Sequence, residues 1–98
     1  MKAIFISFNQ ALYDQIIDLM DELGIRGFTC WETVTGRGSS TGEPHYGTHA
    51  WPTLNSAILT FVDETVAPLF LDRLKKMDEA SQMQGLKAFC WGGVTAPF

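Results

Sequence analysis

Positive charge is scarce in this sequence. Lys and Arg number 7 against 11 Asp and Glu in 98 residues, a formal charge of −4. No basic stripe is present, which argues against a general nucleic-acid binder. Charge of either sign is also thin, at 18% of residues, while 46% are hydrophobic. A chain this apolar needs somewhere to place the surplus, and a subunit interface is the first candidate. No apolar run approaches the ~20 residues of a membrane helix. There are two cysteines, Cys30 and Cys90, with no C-x-x-C spacing. Each falls in an apolar stretch, where a reduced Cys packs as a small hydrophobe. The N-terminal MKAIFISF lacks a small-residue cleavage site and is soon interrupted by Asn9 and Gln10, so a cytoplasmic location is expected. No Walker A sequence occurs and neither cysteine has an activating context. Gly38-Ser39-Ser40-Thr41-Gly42 matches Gly-x-Ser-x-Gly by letter, but no helix pattern follows it, as a nucleophile elbow requires. The protein is therefore expected to be non-enzymatic. Its length makes residues 1–98 one domain, small enough that oligomerisation would help to stabilise it.

The apolar pattern divides the chain into six elements. Lys2–Phe8 is apolar nearly throughout and predicts a central strand covered on both faces. Asn9 can cap the helix that follows. In that helix Leu12, Ile16, Leu19, Met20 and Leu23 recur at helical spacing, and Gly24 ends it in the left-handed conformation. Phe28–Val34 predicts a second strand, with Thr29, Trp31 and Thr33 on one face and Phe28, Cys30 and Glu32 on the other. Leu54–Val62 predicts a third. Asp63 or Thr65 is expected to cap a second helix with Pro68 in its first turn and a buried stripe of Ala67, Phe70, Leu71, Leu74 and Met77. Arg73, Lys75 and Lys76 fall towards its C-terminal half, where they favour the helix dipole. A turn over 80–85 leads to a fourth strand, Leu86–Trp91. The order β-α-β-β-α-β predicts an α+β, ferredoxin-like domain: a four-stranded antiparallel sheet with two helices on one face. The other face would then expose an apolar surface drawn from Phe5, Trp31, Phe61 and Trp91. Packing sheets from several copies together, most simply as a closed trimer, would cover it.

Residues 35–53, TGRGSSTGEPHYGTHAWPT, interrupt this pattern. They hold no run that reads as a buried strand or a helix, and a loop so long in so small a domain is usually functional or disordered. A disordered linker would be more charged and would lack Tyr46 and Trp51, so the loop is taken as the working part. Its start, Gly36-Arg37-Gly38-Ser39-Ser40, offers consecutive backbone N–H groups, two hydroxyls and a guanidinium. Such a concavity suits a phosphate or a carboxylate; the plainer reading is a hinge. Lys87 could add a charge to the same ligand, or be an ordinary edge-strand lysine. Glu43, His45 and His49 form a second constellation, whose imidazoles and carboxylate suit zinc or another divalent transition metal. Pro44 and Gly47 oppose the helix that would put both histidines on one face, and the alternative is two exposed loop histidines. Tyr46 and Trp51 are candidate contacts for a protein partner, with Trp51-Pro52 otherwise an anchor that folds the loop back.

The element order, the stretch Gly24-Ile25-Arg26-Gly27-Phe28-Thr29, the loop base Gly36-Arg37-Gly38 and the start of the last strand at Lys87-Ala88-Phe89 together resemble the PII signalling proteins and their PII-like relatives. The resemblance runs over nearly the whole chain. It implies a homotrimer of ferredoxin-like subunits, with adenine nucleotide bound in the clefts between them. It also implies a long T-loop that engages a target protein, a transporter or a metabolic enzyme. The family's loop base usually reads Gly-Phe-Gly-Arg-Gln. Here Arg37 stands at the aromatic position and Ser40 at that of the glutamine that helps to hold 2-oxoglutarate. The expectation is thus a divergent, PII-like regulatory trimer binding a small anionic ligand through Gly36, Arg37, Gly38, Ser39, Ser40 and Lys87. A trimeric metal-binding protein using Glu43, His45 and His49 is the alternative.

Overall fold

The computed structural model describes residues 1–37, 44–45, 54–81 and 85–95. The elements are β1 (Lys2–Asn9), α1 (Tyr13–Glu22), β2 (Thr29–Val34), β3 (Gly36–Arg37), β4 (Pro44–His45), β5 (Asn55–Val62), α2 (Ala67–Ala80) and β6 (Lys87–Trp91). Four of the strands form one antiparallel sheet in the order β2-β5-β1-β6. The two longest strands, β1 and β5, are central, and β2 and β6 are the edges. This is the ferredoxin-like arrangement expected from the order of elements.

Alternation along the central strands sets the two faces of the sheet. In β1, Ile4, Ile6 and Phe8 are fully buried, and in β5 their registered partners are Thr60, Ile58 and Ser56. The apolar members of these pairs meet Ile16, Leu19 and Met20 of α1 and Phe70 and Leu74 of α2 in one core. Thr60 is buried on this face without penalty, because its hydroxyl donates to the Gly27 carbonyl at 2.6 Å. That bond also ties the α1–β2 connection to the sheet.

Local chemistry decides where each helix begins and ends. Asn9 does cap, but what it caps is a 3-10 turn over Gln10–Leu12, with its Oδ1 accepting from the Ala11 N–H at 2.8 Å. The α-helix starts only at Tyr13. At the other end Gly24 has φ 75°. Its N–H donates to Asp21 O (3.1 Å), and the Ile25 N–H donates to Met20 O (2.8 Å). This paired closure satisfies the last helical carbonyls, and only glycine adopts such a φ at no cost. For α2 the expected side-chain cap is not made. Val66 occupies the N-cap, and the Asp63 main-chain carbonyl instead accepts from the Val66 and Ala67 N–H groups. Pro68 lies in the first turn as expected. The helix runs to Ala80, so its last turn carries no basic residue. Arg73 pairs with Glu22 of α1 at 2.8 Å and Lys76 with Asp72 at 3.0 Å; these cations serve ion pairs and not the helix terminus.

Among the described residues no helix covers the second face of the sheet. Register places on it three cross-strand rows: Phe61–Ala3–Trp91, Thr29–Leu59–Phe5–Phe89 and Trp31–Ala57–Ser7–Lys87. Four of its aromatic rings are about half exposed: Trp31 45%, Phe61 50%, Phe89 59% and Trp91 49%. Each tryptophan stands beside an alanine, Ala57 or Ala3, and each marks one edge of the face. Cys30, half-buried, packs against the core on the helix side, whereas Cys90 is exposed, contrary to the expectation of two buried thiols. Both are free. Among the described residues no helix is long and apolar enough to cross a membrane.

Candidate functional site

The base of the 35–53 loop is a built structure. The β2–β5 ladder pairs Thr29 with Leu59, Cys30 with Ile58 and Trp31 with Ala57, then shifts register before Val34 meets Asn55. The irregularity over Glu32 and Thr33 breaks the face alternation expected for this strand, as a bulge does when one strand holds an extra residue. A bulge leaves backbone groups without ladder partners, and side chains replace them here. The Glu32 carbonyl accepts from Gln10 Nε2 at 2.6 Å and from Ser56 Oγ at 2.5 Å. Gln10 Nε2 also donates to Thr33 Oγ1 at 3.1 Å. Where the chain returns, the Gln10 backbone N–H donates to Leu54 O at 3.0 Å.

Just beyond the bulge, Gly36 lies against the side-chain amide of Asn55, which is 1% exposed. A Cβ at position 36 would stand 3.1 Å from Asn55 Nδ2, so the close approach favours glycine here. Gly36 then pairs with His45, and Arg37 with Pro44, in the two-residue antiparallel ladder of β3 and β4. The stretch, in which no buried strand or helix was expected, thus carries a two-residue ladder at its base. This ladder brings together two constellations that looked separate: the backbone of His45, from the candidate metal set, lies opposite Gly36 of the candidate anion set. An extended backbone at 44–45 also agrees with the argument against a helical His pair. Gly38, Ser39, Ser40, Glu43, Tyr46, His49 and Trp51 lie outside the described residues. Among the described residues no group of three potential metal ligands is gathered.

Lys87 lies far from this base within one chain. It begins β6, registers with Ser7, and so shares the loop's end of the sheet but sits at the opposite edge. Three inter-strand steps separate β2 from β6, about 14 Å at ordinary sheet spacing. What does adjoin the loop base in the same chain is a cleft of about 390 Å³ lined by Gln10, Tyr13, Asp14, Glu32, Thr33 and Ser56. Its two charged side chains are carboxylates, which would repel an anion.

Gln10, Asn55 and Ser56 were not singled out by sequence reasoning. The one available sign was a polar pair, Asn55-Ser56, opening an otherwise apolar strand where the loop returns. Burial at 1% and 2% shows that both are structural parts of the base and not solvent-facing.

A ferredoxin-like sheet with a long loop rising from an edge strand is the fold of the PII-like signalling proteins. Solved structures align with it over nearly its full length. CPII, a nitrogen regulatory PII-like protein from Thiomonas intermedia K12, bound to ADP, AMP and bicarbonate, is 22% identical, with a TM-score of 0.75 over 92% of this chain and 82% of that one. Its apo form gives 19% identity and a TM-score of 0.70 over 92% and 85%. A PII-like signalling protein from Thermus thermophilus gives 23% and 0.64 over 92% and 83%. At these identities the likeness establishes the fold. By sequence, no family model and no curated protein matches the chain.

Proposed function

We propose that this chain is a PII-like regulatory protein that assembles as a cyclic trimer. It binds a small anionic ligand, first of all an adenine nucleotide, in the clefts between subunits. The 35–53 loop carries the occupancy of those clefts to a protein partner. The observation that carries this reading is the separation of its parts. Gly36 and Arg37 follow the edge strand β2 in their own two-stranded ladder, and Lys87 opens the opposite edge strand β6 towards the same end, so two copies meeting edge to edge would join what one chain keeps apart. The uncovered aromatic face supplies a reason for copies to meet. CPII, which has the same fold, was solved with ADP, AMP and bicarbonate bound, all of them anionic. In this reading the backbone N–H groups around Gly36 and the Arg37 guanidinium receive the anion, and Lys87 of the adjoining subunit adds its charge. The ligand acts as a switch only so far as it binds one loop state better than another.

Subunit mixing tests the composite cleft. Arg37→Ala and Lys87→Ala are each expected to weaken ADP binding at least tenfold in calorimetry, the scale of one charge-assisted hydrogen bond. Mixed rings of the two variants place an intact Arg37 beside an intact Lys87 at some clefts, so a fraction of sites regains full affinity. No recovery on mixing, with both variants still assembled, would rule out a site shared between subunits. Loss of bound zinc on EDTA treatment, with no response to nucleotide, would favour the metal alternative.

A further inference from the structure

We propose that Gln10 is the positioning residue that fixes both feet of the 35–53 loop. The side chain and backbone of this one residue reach opposite ends of the excursion. Its amide donates to the Glu32 carbonyl (2.6 Å) and the Thr33 hydroxyl (3.1 Å) where the chain leaves β2. Its backbone N–H donates to Leu54 O (3.0 Å) where the chain rejoins the sheet. The residue is itself held firmly. It follows β1, a central strand, and opens the 3-10 turn that Asn9 caps. Ser56 Oγ braces the same Glu32 carbonyl from β5, so the bulge is pinned between two donors. The chemistry requires a side chain of this length that ends in a donor, because both targets on the outgoing foot are acceptors in these contacts. Gln10 therefore sets the direction in which Gly36 and Arg37 leave the sheet without belonging to the anion site. It lines the cleft that also holds Asp14 and Glu32.

Gln10→Glu tests this with nearly unchanged size. The backbone bond to Leu54 remains, but a carboxylate replaces the donor and faces the Glu32 carbonyl. Amide hydrogen exchange in the full-length protein is expected to quicken about tenfold at Thr33, Val34 and Asn55, matching the loss of roughly one net hydrogen bond. Thr29 and Cys30, on the regular part of the ladder, should exchange as before. A specific donor role, unlike mere packing, predicts rescue by protonation. Below the ordinary glutamate pKa of about 4.3 the introduced carboxyl becomes a donor again, and the ratio of foot to ladder exchange should return to the wild-type value. The wild-type ratio measured over the same range accounts for Asp14 and Glu32, which share the cleft. If Gln10→Glu fails to fold, Gln10→Met removes the donor without adding charge, and the same foot-specific increase is expected. Unchanged exchange at Thr33 and Val34 in the folded variant, or an equal rise at Thr29 and Cys30, overturns the proposal. The inference rests on the loop-base reading but not on any ligand. Failure to bind nucleotide would end that functional reading and leave this exchange test intact.

Discussion

Replacing Phe89 with Glu should dissociate the protein while leaving each subunit folded. Phe89 stands in the row Thr29–Leu59–Phe5–Phe89 and is 59% exposed, the most of the four open-face rings. An aromatic side chain of ~200 Å² at that exposure presents roughly 120 Å² to water. At about 25 cal/mol per Å², covering it contributes on the order of 3 kcal/mol per subunit. The four rings together offer about 400 Å², or ~10 kcal/mol gross, against an association cost of comparable size. A margin that narrow cannot absorb the loss of one ring together with the burial of a carboxylate, which adds several kcal/mol more. The predicted shift in the assembly constant is at least a thousandfold, about 4 kcal/mol. Sedimentation velocity at micromolar concentration should show an oligomer for the parent and a monomer for Phe89→Glu, with matching far-ultraviolet circular dichroism. A parent that sediments as a monomer, or a variant that keeps the parent's mass, would refute the argument that this face is covered by further copies.

Three other outcomes follow from the packing and the loop base. Phe70 is fully buried between α2 and the sheet, so Phe70→Ala should cost about 3–5 kcal/mol in urea unfolding. Gly36→Ala places a Cβ 3.1 Å from the Asn55 amide. The amide, on a side chain only 1% exposed, must yield by a few tenths of an ångström, so a loss on the order of 1 kcal/mol is expected in urea unfolding, together with weaker ADP binding by calorimetry. The Cys30 thiol pKa is raised above its ordinary 9.0, first by burial and then by the negative charge of Glu32. The folded state therefore holds this proton more tightly than the unfolded chain does. Its contribution to stability is complete below the ordinary thiol value and declines as pH rises through the folded-state value. Cys30→Ala should flatten that part of the stability–pH curve in urea titrations at alkaline pH.

The regular parts of this fold are written in short-range patterns. The apolar run of Lys2–Phe8 and the 3.6 period around Ile16 and Leu19 led to the right elements, and their order led to the right sheet. Gly24 marked a helix end because one backbone conformation requires it. Where interactions between distant residues decide, the sequence was less informative. Asp63 and Thr65 are good side-chain cappers in general, but at α2 the Asp63 backbone carbonyl makes the bonds. The β2 bulge is invisible in TCWETV; it exists because Gln10 and Ser56, 22 and 24 residues from Glu32, satisfy its carbonyl. Cys90 looked buried by its apolar neighbours, but it falls on an edge strand and is exposed. Of the candidate site, Gly36 and Arg37 could be picked out by residue type, whereas the distance from them to Lys87 depends on strand order. That distance turns a set of candidate ligands into a statement about subunits.

Native mass spectrometry of the gently purified protein, with ADP, AMP, ATP and zinc added in turn, is the measurement to make first. A trimer is expected that takes up adenine nucleotide to one per cleft and loses that uptake in Lys87→Ala. A monomer, or a trimer that ignores all three nucleotides while retaining zinc, would contradict the proposed function.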